Sequence, residues 1–178
     1  MRKNNVSFKP LVKKGFSLME IMVVSVVIAV MAASLLPRFF EQQKSGEAKD
    51  EFAKLTELRN RIVTLYDGDF DYDGVEDAWK DQLPRSYSTN GTTVVSVWKN
   101  PVTVAESGSN GFEINYEKVP KGIACTEFAK LGREAGWTEV VIGSTSFNAE
   151  SKTADIASQC KSAANTDVID FKFVHETL

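Results

Sequence analysis

From Phe16 to Leu36 the chain reads FSLMEIMVVSVVIAVMAASLL, an apolar run whose single charge is Glu20. At about 1.5 Å rise per residue, a helix of this length crosses a hydrocarbon layer of roughly 30 Å. The preceding segment holds Arg2, Lys3, Lys9, Lys13 and Lys14 and no acid. Positive-inside logic therefore places residues 1–15 in the cytoplasm and the rest of the chain outside. Beyond residue 15 acids outnumber bases, and a negative body repels phosphate backbones, which excludes nucleic-acid binding by bulk charge. The one histidine, His175, lies three residues from the C-terminus, so His-based metal sites and Ser-His or Cys-His catalysis find no support. The chain does not read as an enzyme.

Two kinds of N-terminal segment fit the apolar run. One is a plain secretory signal cut near Ala32, Ala33 and Ser34. The length of the run, the carboxylate at its start and the position of Pro37 after the small residues count against it. The other starts from Lys13-Lys14-Gly15-Phe16-Ser17-Leu18-Met19-Glu20, which resembles the type III signal of type IV prepilins. In that family a membrane aspartyl peptidase cuts after the glycine and methylates the new N-terminus. The resemblance implies cleavage between Gly15 and Phe16, N-methylation of Phe16, and assembly roles for Phe16, Glu20 and Pro37. Residues 1–15 are then a removed leader, and residues 16–36 a helix that serves first in the membrane and later in a filament core.

After Pro37 the pattern becomes amphipathic. Ala48, Phe52, Leu55, Leu58, Ile62 and Leu65 recur every three or four residues, with Lys, Glu and Arg on the other face. The spacing predicts one helix over 17–66, with a kink or local melting at Pro37 and a second weak point at Gly46. Residues 37–66 form its amphipathic half, and 67–91 an acidic loop. Strands are expected at 92–98, 102–105, 112–116, 139–142 and 168–174, with a short helix at 125–135 and one helical turn at 154–158. The class is α+β: a long N-terminal α-helix packed on a C-terminal antiparallel sheet spanning 92–178.

Cys125 and Cys160 fall on the oxidising side of the membrane, which favours a disulfide between them. The stretch from Asn100-Pro101-Val102 through Phe112-Glu113-Ile114 and Val119-Pro120 to Ala124-Cys125 is most similar to the type IVb subgroup, that of conjugative thin-pilus and toxin-coregulated-type pilins. That resemblance implies that the Cys125–Cys160 bridge closes a D-region over 125–160.

Residues 67–77, DGDFDYDGVED, are not supplied by the pilin resemblance. Asp69, Asp71, Asp73, the Val75 carbonyl and Asp77 follow the spacing of a calcium loop, with Gly74 at the sharp turn. Lys80 stands where such loops carry a bidentate acid, so an EF-hand-like, weak calcium site and a solvated acidic turn both remain open. No cofactor is otherwise required. Asn90-Gly91-Thr92 reads as a hairpin turn, and Trp79, Trp98 and Trp137 as core or inter-subunit packing.

The functional expectation is a structural pilin that polymerises into a type IV pilus, for adhesion, aggregation, conjugation or motility. The resemblance implies a helical homopolymer and, as partners, a prepilin peptidase/methylase, an assembly ATPase and an inner-membrane platform protein. It also implies a precursor in the bacterial inner membrane, leader cytoplasmic and C-terminal domain periplasmic, that later becomes an extracellular pilus. Two other readings are a type II secretion pseudopilin and a membrane-anchored extracytoplasmic binding protein.

Overall fold

The computed structural model describes residues 17–108, 110–161 and 167–177. Two compact units are distinguished, Met1–Phe40 and Glu41–Leu178. Helix α1 spans Leu18–Leu65, within a residue of the expected bounds at either end. Its assignment runs unbroken through Pro37 and Gly46, so the expected melting does not occur.

In the second unit, α1 turns Ala48, Phe52, Leu55, Leu58 and Ile62 inward, as the three-and-four spacing predicts, while Leu65, the last member expected of that stripe, is exposed at the end of the helix. Glu51 joins them with its side chain fully buried, although the sequence pattern places its charge on the wet face. Its Oε2 accepts hydrogen bonds from Lys54 Nζ and from the Val97 N–H, both at 3.0 Å. The helix thereby ties down the chain between two strands through one charge-assisted contact.

The segment expected as an acidic loop over 67–91 contains more structure than that. It holds a short helix α2 (Val75–Ala78), a 3₁₀ turn (Trp79–Gln82) and strand β1 (Ser88–Asn90). Val75 and Trp79, four apart and buried, draw it back onto the core. β1 pairs with β2 (Thr93–Val95) through a two-residue turn in which Gly91 takes φ 65°, as the hairpin reading requires. Only these three residues of the expected 92–98 strand are extended. Ser96 and Lys99 form a turn instead, with the Lys99 N–H donating to the Ser96 carbonyl at 2.9 Å.

The main sheet comprises β3 (Val102–Glu106), β4 (Gly111–Pro120), β5 (Glu139–Ile142), β6 (Thr145–Phe147) and β7 (Val168–Glu176). Its order is β3-β4-β7-β5-β6, antiparallel throughout, so the last strand in the chain lies at the centre. Alternate residues point inward: Val102 and Val104, then Phe112, Ile114 and Tyr116, then Phe171 and Phe173, then Val140 and Ile142. Helix α3 (Ile123–Glu134) packs on this face. Its Phe128 ring lies 4.9–6.2 Å from the rings of Phe173, Tyr116, Trp98, Phe171 and Phe52. Gly132 lets α3 approach the sheet, since a Cβ there would stand 2.5 Å from the Phe173 ring.

The Tyr87 and Tyr116 hydroxyls meet at 2.5 Å in the interior. Burial first, with the Glu51 carboxylate adding to it, pushes both far above the ordinary tyrosine range, so the pair stays neutral.

Candidate functional site

Three features carry the sequence-derived expectations: the N-terminal half of α1, the cysteine pair and the acidic segment.

Ser17 starts α1. The Glu20 N–H donates to Ser17 Oγ at 3.3 Å, and the Ile21 N–H to the Ser17 carbonyl at 3.2 Å. Ser17 with Glu20 three residues on is the sequence form of a capping box, and the carboxylate lies in the first turn, where the helix dipole favours an anion. From Leu18 to Phe40 every residue is exposed, and the most apolar 18-residue stretch has a mean hydropathy of 2.4. The two hydroxyls inside this stretch satisfy themselves: Ser25 Oγ donates to the Ile21 carbonyl at 2.8 Å, and Ser34 Oγ to the Val30 carbonyl at 3.0 Å. Among the described residues no ion pair reaches Glu20. The helix therefore offers apolar surface on all sides and one carboxylate near its start. Gly15 and Phe16, the expected cleavage and methylation residues, lie outside the described residues.

Cys125 in α3 is bonded to Cys160, which follows α4 (Thr153–Gln159), with a Cα–Cα distance of 5.5 Å and both side chains buried. The closed segment includes β5, β6 and α4, and the Gly122 N–H donates to the Cys160 carbonyl at 2.7 Å beside the bridge. Residues 125–160 are thus one covalently closed region that supplies β5 and β6 to one side of the sheet, with the disulfide closure that the D-region expectation states.

The acidic segment lends the calcium-loop expectation no support. Asp69, Asp71, Asp73 and Asp77 are all exposed, and among the described residues no three His, Cys, Asp or Glu side chains are grouped to hold a metal. Their local bonding explains why they do not converge. Asp71 Oδ1 accepts the Asp73 N–H at 3.3 Å, and the Asp73 carbonyl accepts Tyr66 Oη at 3.1 Å. The Gly74 N–H reaches out to Glu106 Oε1 at 2.9 Å. Val75, whose carbonyl was the fifth expected ligand, begins α2.

One node has no counterpart in the sequence reading. Arg59 of α1 donates to the Ala135 and Gly136 carbonyls at 3.0 and 3.1 Å and to His175 Nδ1 at 3.1 Å, and its guanidinium lies 4.9 Å from the Trp137 ring. Because Arg59 can only donate, His175 accepts at Nδ1 and carries its proton on Nε2. Burial, reinforced by the Arg59 charge, lowers the His175 pKa to about 4. The only histidine is therefore a neutral structural acceptor. Trp79 and Trp137 are buried in the core and Trp98 packs edge-on against Phe128, in line with the packing role expected of all three.

A membrane-length helix followed by an amphipathic stretch, an antiparallel sheet and a disulfide-closed C-terminal region define the pilin class of structural subunit. Residues 45–171 match the family described as PilS N terminal, and residues 12–36 match the prokaryotic N-terminal methylation motif. The chain belongs to the PilS N-terminal family. Among solved structures it resembles a type IVb pilin from Salmonella typhi, with 18% identity, a TM-score of 0.55, and coverage of 71% of this chain and 98% of the other. No curated protein matches. The chain is a pilin-like structural subunit, processed by a prepilin peptidase and polymerised into a pilus from a membrane-anchored precursor.

Proposed function

We propose that the prepilin peptidase cuts between Gly15 and Phe16 and methylates Phe16, leaving 16–36 as a transmembrane helix, 37–66 as its amphipathic continuation, and 92–178 as the sheet domain with its 125–160 D-region. Before assembly, residues 1–15 face the cytoplasm and the domain faces the periplasm. An assembly ATPase and an inner-membrane platform protein then drive the transfer of the helix from lipid into a filament core of like helices. The observation that carries this reading is the helix from Leu18 to Leu36, apolar and exposed on all sides and holding one carboxylate, Glu20, with no ion pair among the described residues. Its surface stays away from water in lipid and in a helical core alike. A carboxylate in such surroundings is costly without a partner, and the amino group of a neighbour's Phe16 supplies one, setting the axial register between copies. The family match and the disulfide support a pilus subunit over a secretion pseudopilin.

Electron microscopy of cells expressing the wild-type chain, no chain, or Glu20→Ala tests the reading. Surface filaments are expected with the first and absent with the second. Glu20→Ala is expected to accumulate processed subunit in the membrane with few or no filaments. Filaments at wild-type number with Glu20→Ala would refute the pairing, and loss of protein secretion without loss of filaments would point to a pseudopilin.

A further inference from the structure

The main sheet has two ends, and the chain charges them oppositely. Strand register places Glu106 beside Phe112, and Gly111 beside Glu176, at one end. The 67–77 segment joins that end through the Gly74–Glu106 bond and through the Tyr72 ring, 5.0 Å from Phe112. It presents Asp69, Asp71, Asp73, Glu76 and Asp77 to solvent, with Phe70 among them 96% exposed. Lys80 is the nearby base along the chain.

At the other end, where Pro120 pairs with Val168, the chain collects Lys99, Lys118, Lys121 and Lys161. Asn100 Nδ2 donates to the carbonyls of Trp98 and Lys118 at 3.2 and 3.0 Å, joining the Lys99 turn to the β4 bulge that carries Lys118. The Lys121 N–H donates to the Asp167 carbonyl at 3.0 Å, and the Gly122–Cys160 bond brings Lys161 alongside. The acids at this end are Asp167 beside Lys121, Asp170, which already accepts the Lys118 N–H at 2.8 Å, and the exposed Glu117, so the four lysines leave it net positive. Lys99 and Lys118, with φ of 62° and 51°, are the non-glycine residues with positive φ among those described. Such sparsely populated conformations persist where surrounding bonds hold them, and both display a lysine outward. The ten residues of β4 separate the two ends by roughly 20–30 Å, well beyond the reach of screened attraction within one copy.

We propose that the acidic end of one copy docks on the lysine end of the next, with Phe70 as the apolar contact inside the joint. This rests on the reading of the chain as a pilus subunit, and it deepens that reading by naming the surfaces that meet. The occupant is a second copy because the complementary surface is carried by the chain itself. Contact between two different patches is heterologous and does not close, so it repeats along a filament. The opposite charges orient the incoming copy, and a desolvated aromatic supplies the anchor that a purely charged joint lacks.

Native filaments sheared from cells and treated with a zero-length carbodiimide test this directly, because that reagent joins a carboxylate to an amine only where the two touch. Peptide mapping should find amides between the acids of 69–77 and Lys99, Lys118, Lys121 or Lys161. With the two ends roughly 20–30 Å apart along the sheet within one chain, such links join two copies. Links from those acids to Lys80 alone, or to another macromolecule, while other inter-copy links form, would overturn the proposal.

Charge reversal gives a second, independent readout. Lys99→Glu/Lys118→Glu and Asp69→Lys/Glu76→Lys should each lower filament yield at least tenfold with processed subunit still present. Co-expression of the two variants should restore filaments, since their ends are complementary only to each other. No fall in either variant, or no restoration with both subunits at normal level, would overturn the proposal. Absence of filaments from wild-type cells would overturn the pilus reading itself, and this inference with it.

Discussion

Glu20 and Glu51 are carboxylates of one helix with different partners. Glu51 is enclosed in the sheet domain and finds Lys54 and the Val97 N–H there. Glu51→Ala strands a buried backbone donor and releases the 96–98 turn, so a loss of about 2–4 kcal/mol is expected. Chemical denaturation of the purified subunit measures it, and Glu51→Gln, which keeps an acceptor, should lose less. His175 makes stability depend on pH. Its pKa is about 4 in the folded chain, held down by burial and then by Arg59, against about 6.5 when unfolded. Between those values the unfolded chain binds a proton that the folded chain does not. This contribution is therefore complete above about pH 6.5, falls as the pH drops toward 4, and is level below that. The ring is partly exposed, which brings the effect down to about 1–2 kcal/mol. Melting temperatures from pH 7 to pH 4.5 should fall less steeply in His175→Gln than in the wild type.

At the scale of elements, the parts legible in the sequence are those with a long or clean period. The α1 stripe repeats over about four turns in the domain, β5 is found at 139–142 as expected, and β7 alternates from Val168. α2, β1 and β6 show no clear alternation of their own: burial of Val75 and Phe147 makes the first and last, and pairing with β2 makes β1. The central place of β7 was not legible either. It depends on pairing Phe112 with His175 and Val140 with Phe173, partners far apart in the chain. Among site residues, the cysteine pair and Glu20 stood out because each breaks its local pattern. Arg59 and Glu51 did not, since a charged residue on an amphipathic helix looks the same in sequence whether it is wet or enclosed. The disulfide is the element-scale test. Joining residues 35 apart, it contributes on the order of 4 kcal/mol in the chain-entropy account. Cys125→Ser/Cys160→Ser should lower the melting temperature and expose 126–159 to limited proteolysis while the α1 and β3–β4 peptides stay protected. Equal proteolysis across the domain would show that the bridge holds the whole fold and not this region alone.

At the scale of the molecule, the chain combines a sheet domain whose interior is complete with a helix that keeps its apolar surface uncovered from Leu18 to Leu36. A water-facing life for that helix is ruled out by its surface, and a permanently lipid-bound life leaves the family's N-terminal methylation motif without a purpose. Passage from membrane to filament accounts for both. The intact mass of the subunit in sheared filaments, measured without reduction, tests this claim most directly. The expected species begins at Phe16, carries one methyl group, and is two hydrogens lighter than the reduced chain because Cys125 and Cys160 are joined. A filament subunit beginning at Met1 or Ser34, or an unmethylated Phe16, would contradict it.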